Sequence, residues 1–93
     1  MKAHQLIEWG EDVVLDVKHH IDSSKFQVGG DVEFDKNQNA IFITLDLVSS
    51  GLNPPYRMQR KIPAIYIEQG YVTKQETVYI FISQLNKVIE VYQ

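Results

Sequence analysis

Residues 35–46, DKNQNAIFITLD, contain the residue types of a calcium-binding loop. A D-x-N-x-N opening and an acid at the twelfth position are features of the EF-hand loop, whose carboxylate and amide oxygens ligate the ion. The sixth position of such a loop is glycine and here is Ala40, and the twelfth is glutamate and here is Asp46. Asp and Asn are also the usual residues of tight turns. The sequence therefore predicts a hairpin turn at this place and no calcium site.

Carboxylates and histidines also share one side of the N-terminal segment. Asp12, Asp16, His19 and His20 follow one another at helical spacings, so that three of them could approach one cation. A fourth ligand would have to come from the same helix, whereas metal sites usually draw ligands from more than one element. We expect solvated charges here and predict no metal site.

The motifs of nucleophilic catalysis and of phosphate binding are missing. VSSGL at 48–52 does not match G-x-S-x-G, there is no H-E-x-x-H, and the chain has no cysteine. QVGGD at 27–31 precedes a strand-like segment, and its glycines are expected to form a turn or bulge. We therefore predict a protein that is not an enzyme, with no catalytic residues and no cofactor.

A basic cluster, YRMQRK at 56–61, contains both arginines of the chain. Arginine can bind phosphate or a partner's carboxylates with two parallel hydrogen bonds. With one lysine further along the chain, the cluster forms a candidate nucleic-acid-binding set, called the basic set below: Tyr56, Arg57, Arg60, Lys61 and Lys74.

Composition limits the classes of protein that need to be considered. Ninety-three residues, of which 44% are hydrophobic, make one domain with a core of its own. The longest apolar runs, such as VYIFI at 78–82, are far shorter than the ~20 residues that cross a bilayer. The N-terminal stretch has acids where a signal peptide is apolar. We expect a cytoplasmic protein without membrane contact.

The charge of the chain is unevenly distributed, although the net charge is only −3. Residues 1–35 hold eight acids against three lysines, whereas residues 36–93 hold six bases against four acids. The small net charge favours neither a general nucleic-acid binder nor an acidic mimic of DNA.

Apolar periodicity predicts the elements of the first two thirds of the chain. Residues 3–22 have an apolar stripe at spacings of three and four, which is typical of an amphipathic helix, and Gly10 in that stripe is expected to permit close packing. Residues 31–35 and 40–48 alternate as two strands of a hairpin. SSGLNPP at 49–55 is predicted to be a loop, and RKIPAIYIE at 60–68 a third strand, with Pro63 at an edge or bulge.

The C-terminal stretch TVYIFISQLNKVIEVYQ fits two structures, a helix or a pair of strands with a turn at Asn86 and Lys87. Neither strand of such a hairpin alternates cleanly. As a helix, the stretch has one apolar stripe, and Thr73 with Glu76 upstream has the spacing of a capping box. We predict the helix.

The predicted fold class is therefore α+β, a three-stranded antiparallel sheet flanked by N- and C-terminal helices in the order α-β-β-β-α. The alternative is an N-terminal helix followed by a five-stranded antiparallel sheet. The predicted order is also that of double-stranded-RNA-binding domains, whose last helix begins with a lysine-rich cluster, but here that helix has only Lys74. Order alone does not imply function.

Some apolar residues lie away from the predicted core stripes. On a C-terminal helix, Ile80, Gln84, Lys87 and Val91 form a narrow line, called the outer stripe below, and Leu15 is similarly misplaced on the first helix. These residues predict a protein–protein interaction module, an adaptor, inhibitor or assembly subunit, whose partner is another protein chain and most simply a second copy of itself. The alternative is a nucleic-acid-binding domain that uses the basic set.

Overall fold

A computed structural model describes all 93 residues, with three antiparallel strands between helices. The strands pair in the order β1-β2-β3, and each neighbouring pair is antiparallel. This confirms an α+β fold with a three-stranded sheet flanked by helices. The elements in chain order are α1 (Ala3–Ile21), β1 (Gln27–Asp35), β2 (Ala40–Ser49), β3 (Leu52–Pro63), α2 (Ala64–Glu68) and α3 (Lys74–Tyr92).

The β1–β2 turn forms where the sequence predicts it. The Asp35 carboxylate accepts hydrogen bonds from the backbone N–H groups of Asn37, at 2.9 Å, and Gln38, at 3.2 Å. These bonds, that from the Gln38 backbone first, lower the pKa of Asp35 below its usual value. The oxygens that resemble calcium ligands in the sequence therefore stabilise a turn.

The C-terminal stretch is one helix, so the alternative with a five-stranded sheet is wrong. Thr73 caps α3, because its side chain accepts a hydrogen bond from the backbone N–H of Glu76 at 3.1 Å. Val78, Phe81 and Leu85 are buried at helical spacing. A strand pair would place some of these side chains on the solvent side of the sheet, whereas the helix buries all three.

The third strand begins eight residues earlier than predicted and ends five residues earlier, and AIYIE is a short helix instead of a strand. The Ala64 N–H donates to the Asn39 carbonyl at 2.8 Å, which is the last bond of the pairing between β3 and β2, and α2 begins at this residue. One turn of helix then buries Ala64 and Ile67, three residues apart. The predicted loop at 49–55 is partly strand, since β3 is an edge strand and its prolines need not donate to a neighbour.

Gly29 and Gly30 lie within β1 in regular register with β2, and not in the predicted turn or bulge. The reason is the close approach of α1. A Cβ atom at Gly30 would lie 2.4 Å from Cγ1 of Val14, and one at Gly10 would lie 2.7 Å from Cγ1 of Val32. Glycine on the helix therefore faces valine on the strand, and glycine on the strand faces valine on the helix. The close packing expected at Gly10 is confirmed.

The core lies between one face of the sheet and the two long helices. The alternating apolar residues of β2 that the sequence predicts to be buried are fully buried: Ile41, Ile43, Leu45 and Leu47. The opposite face of β2 is only partly covered. The sheet therefore has one helix-covered face and one open face.

The helices lie side by side over opposite flanks of the sheet. Gly10 of α1 is opposite Val32, and Lys18, two turns later, hydrogen-bonds the carbonyl of Val28, so α1 follows β1. Gln84 of α3 donates to the Tyr56 hydroxyl at 3.4 Å, and Glu76, two turns earlier, lines a hollow together with Arg60, so α3 follows β3. The flank of α1 and the flank of α3 are consequently two separate surfaces.

The glycine contacts predict different effects for two neighbouring substitutions. Gly30→Ala should lower the free energy of unfolding by about 1–3 kcal/mol, because the new methyl group overlaps Val14. Gly29→Ala is the matched control, since a Cβ atom there meets nothing within 4 Å, and should change stability by less than about 1 kcal/mol. Urea denaturation of the variants measures both, and equal destabilisation would contradict the close contact.

Candidate functional site

Exposed apolar side chains concentrate near the C-terminal end of the chain. Of ten large hydrophobic residues that are exposed, seven lie in residues 65–92. They include four tyrosines, of which Tyr71 and Tyr79 are 72% exposed. We call the surface formed by the following residues the outer α2–α3 face: Ile65, Tyr66, Tyr71, Tyr79 and Ile80.

A shallow hollow lies in the middle of this face, between the end of β3, α2 and the first half of α3. Tyr66, Val72 and Ile80 supply its apolar walls, Glu76 supplies an acid, and the bases Arg60 and Lys61 of β3 also line it. Arg60 forms no ion pair within the chain. The hollow thus offers apolar surface together with a free cation and an anion.

Two tyrosines at the edge of the face hold each other in place. The rings of Tyr66 and Tyr71 meet edge to face, with centroids 6.4 Å apart and planes at 86°. The backbone N–H of Tyr71 also donates to the carbonyl of Tyr66 at 2.9 Å. Rigid tyrosine side chains offer contact area at low entropic cost, which is why they are enriched in protein interfaces.

The outer stripe lies on α3 as predicted, and Ile80, Gln84, Lys87 and Val91 are all exposed. Its first residue belongs to the outer α2–α3 face, and the others continue away from that face along the helix. Leu15 is also exposed but lines a groove between α1 and β1. The structure therefore brings together the four residues on α3 and separates Leu15 from them by the width of the sheet.

The basic set is divided among three places. Arg57 lies on the open face and pairs with Asp46, with Nε 2.7 Å from Oδ1, and this hydrogen bond raises the pKa of the guanidinium. Lys74 pairs with Asp12 of α1 at 2.7 Å.

The other members of the basic set also lie apart. Lys61 is opposite Phe42 and so shares the open face with Arg57, whereas Tyr56 and Arg60 are opposite the buried Leu47 and Ile43 and so point to the helix side of β3. The structure does not form a continuous basic surface from these five residues.

A second surface, which we call the edge groove, lies between α1 and β1. Glu11, Leu15 and Lys18 follow one line along α1 and form its upper wall, and Gly30 and Val32 of β1 form its floor. Leu15 is 50% exposed there. The groove runs beside an edge strand of the sheet.

One end of the edge groove is closed by polar contacts. The Asp22 carboxylate accepts from the Val28 N–H at 2.8 Å and pairs with Lys18 at 2.7 Å, and Lys18 donates to the Val28 carbonyl at 3.3 Å. The hydrogen bond from Lys18, followed by that from the Val28 backbone, lowers the pKa of Asp22. These contacts fix the end of α1 to the start of β1.

The structure contains no group of three or more His, Asp or Glu side chains placed to hold a metal ion. Asp16 and His20, which share a helix face, are connected instead by a hydrogen bond of 2.9 Å between His20 Nδ1 and the Asp16 carbonyl. Neither α1 nor α3 contains an apolar stretch of the length that crossing a lipid bilayer requires.

Comparison of the chain with protein-family models, with curated proteins and with solved structures finds no match. The surfaces themselves are therefore the basis for a functional proposal.

Sequence reasoning missed the tyrosines of the outer α2–α3 face and the edge groove. The strand predicted at 60–68 includes Tyr66, although the three-residue spacing of Ala64 and Ile67 is a signal for a short helix. The edge groove has no local sequence signal, because it depends on which strand of the sheet α1 follows.

The contacts of Asp22 at the closed end of the edge groove predict that the stability of the protein depends on pH. Because the pKa of Asp22 is lower in the fold than its ordinary value of 3.8, the charged carboxylate stabilises the fold above that pH, and this contribution is lost as the pH falls below it. Asp22→Asn should cost about 0.5–1 kcal/mol at neutral pH. The difference from the wild type should shrink towards zero on acidification.

The control for this prediction is Asp16→Asn, which makes the same change at an exposed position of α1 without an ion pair. Thermal unfolding across the acidic range measures both variants. A loss for Asp22→Asn that is independent of pH would contradict the assigned role of its charge.

Proposed function

We propose that this protein is a non-enzymatic interaction module that associates with a second copy of itself through the outer α2–α3 face. The observation that carries the proposal is a connected group of exposed residues: Tyr66 and Ile80 line the hollow, Tyr71 packs against Tyr66, and Tyr79 shares a neighbouring hollow with Ile80. Scattered exposed apolar residues need no explanation, but a contiguous group with tyrosines is typical of a protein interface.

The charges in the hollow favour a second copy as the partner. In a two-fold dimer the same patch of both copies forms the interface. Every contact between two different residues therefore occurs twice, once on each side of the axis. Arg60 and Glu76 line the same hollow with opposite charges. Across a two-fold axis, Arg60 of each copy can therefore meet Glu76 of the other, whereas a patch with one sign of charge would repel itself.

The outer stripe extends this interface along α3. Ile80 lies in the hollow, and Gln84, Lys87 and Val91 follow at the spacings of one helix side. Val91 is 75% exposed, although it lies on a helix whose other side is buried. The helix thus has one side buried in the core and one exposed side, and a second copy would cover the exposed side. A contact of this limited size is consistent with micromolar affinity.

The same proposal places the module in the cytoplasm, because reducing conditions suit a chain without cysteine. It assigns the protein no catalytic role. Nucleic-acid binding has no specific support in the structure, because two of its basic residues are already ion-paired and the rest are spread over different faces.

The proposal predicts loss of self-association in a double variant of the outer stripe. Ile80→Lys with Val91→Glu should give a monomer at every concentration, because it places charges in an apolar contact. The wild type should approach twice the monomer mass at high micromolar concentration, measured by sedimentation equilibrium. Both positions are exposed, so circular dichroism should remain unchanged.

The matched control is Leu15→Lys, which introduces the same charge at an exposed apolar residue on the opposite flank. It should associate like the wild type. A wild type that stays monomeric at high micromolar concentration, or equal loss of association in the control, would refute this interface.

A further inference from the structure

The outer edge of β1 has backbone groups without partners in the sheet. The N–H of Val28 bonds Asp22 and its carbonyl bonds Lys18, so neither group faces β2. In an antiparallel pair, the two backbone groups of one residue face the same way and successive residues alternate. Gly30, Val32 and Phe34 therefore also direct their N–H and C=O groups away from β2.

The two edges of the sheet differ in their protection. β3 includes Pro54, Pro55 and Pro63, and its other residues at the edge include Arg57 and Lys61. Proline and positive charge are the usual means of preventing another strand from pairing with an edge. β1 contains no proline, and only its Val28 end is closed by side chains. The central part of the β1 edge is thus open to a further strand.

The edge groove determines which side chains an added strand would need on the helix side. Its residues on that side would pass beneath α1 and meet Leu15 and Val14, with Gly30 and Val32 as the adjoining floor. Leu15, half exposed in the isolated chain, would be covered. Apolar side chains fit these positions.

The open face of the sheet determines which side chains the added strand would need at its other, alternate positions. Asp31 and Glu33 point to that face of β1, opposite Thr44 and Phe42, and neither forms an ion pair. Residues directly across from them on an added strand would be cross-strand neighbours, for which opposite charge is favourable. Lysine or arginine fits these positions.

We propose that the β1 edge binds an extended peptide segment of another protein, in which apolar and basic residues alternate. The segment adds a fourth strand to the sheet through Gly30, Val32 and Phe34, places its apolar residues against Leu15, and places its basic residues beside Asp31 and Glu33. Main-chain bonds supply affinity, and the alternate side chains supply specificity. This surface is separate from the outer α2–α3 face, so the inference stands without the proposed dimer.

The same charges argue against a second copy on this edge. Two β1 edges paired around a two-fold axis would bring Asp31 and Glu33 of each copy to the same face as those of the other. Like charges directly opposite one another destabilise a strand pair. If the paired strand is basic instead, its interactions with Asp31 and Glu33 are attractive.

The test uses the full chain and a short capped probe peptide of alternating valine and lysine, followed by fluorescence anisotropy. We expect saturable binding that is at least about tenfold tighter than that of an alternating valine–glutamate peptide. A peptide with the same composition arranged as a valine block and a lysine block should also bind weakly. Equal binding of all three peptides would show attraction without strand pairing and would overturn the proposal.

Methylation of the peptide nitrogens tests the pairing itself. Only every second N–H of an added strand faces β1. Methylating the nitrogens of one alternate set should therefore reduce binding by at least about tenfold, and methylating the other set should leave it within about twofold. If methylation of each of the two sets abolishes binding, or if methylation of neither set reduces it, strand addition is contradicted. This experiment uses the wild-type protein, so it does not depend on the folding of a variant.

A variant of the protein tests whether the peptide binds at the β1 edge. Val32→Pro removes one outward N–H and leaves the bonds to β2 intact, and Val32→Ala controls for the lost side-chain packing. Val32→Pro should abolish peptide binding, and Val32→Ala should retain it.

The outer-stripe variant, Ile80→Lys with Val91→Glu, should bind the peptide like the wild type, so failure of this proposal and failure of the dimer are distinguishable. If no peptide binds and Val32→Pro changes the mass of the protein in solution, the edge is covered by a second copy and the proposal is wrong.

Discussion

The close packing of α1 on β1 is the constraint on which the other features of the structure depend. Gly10 lets the helix meet Val32, and Gly30 lets the strand meet Val14, at distances where a Cβ atom would overlap a methyl group. The helix is therefore fixed over one edge strand instead of over the middle of the sheet. Asp22 and Lys18 secure its last turn to the start of β1. The remaining area of the sheet, towards β3, is left for α3.

This placement gives the molecule two flanks of different chemistry. The flank of α1 and β1 is built from the first 35 residues, which hold eight of the twelve acids, and three of these, Glu11, Asp12 and Asp31, line the edge groove. The flank of β3, α2 and α3 has the exposed tyrosines and the unpaired Arg60. The division of charge along the sequence becomes a division in space because consecutive elements are neighbours in the sheet.

The sequence predicts those elements whose signals are local. The helix stripe of α1, the Asp and Asn residues of the β1–β2 turn, and the Thr73 cap of α3 each act within a few residues, and all three elements form as expected. The segment AIYIE differs from the prediction because Ile and Tyr favour strands, whereas the short helix is what buries Ala64 and Ile67 in the core, a contact with residues distant in sequence.

For the candidate sites, too, only features with a local sequence signal could be predicted. The exposure of Ile80 and Val91 follows from helical periodicity alone and could be predicted. The separation of Leu15 from them, and the pairing of Arg57 with Asp46, depend on strand order and register, which no local pattern contains. The free backbone groups of β1 likewise become visible only once the direction of the Val28 groups is known.

α1 packs on β1 and yet leaves the central part of that strand's outer edge unbonded. Amide hydrogen exchange of the free protein, resolved by residue, tests it most directly. We expect an alternation, in which the amides of Gly29, Asp31 and Glu33 are protected by β2 and those of Gly30, Val32 and Phe34 exchange rapidly. Uniform protection along these six residues would contradict the account, because it would mean that the edge is already paired.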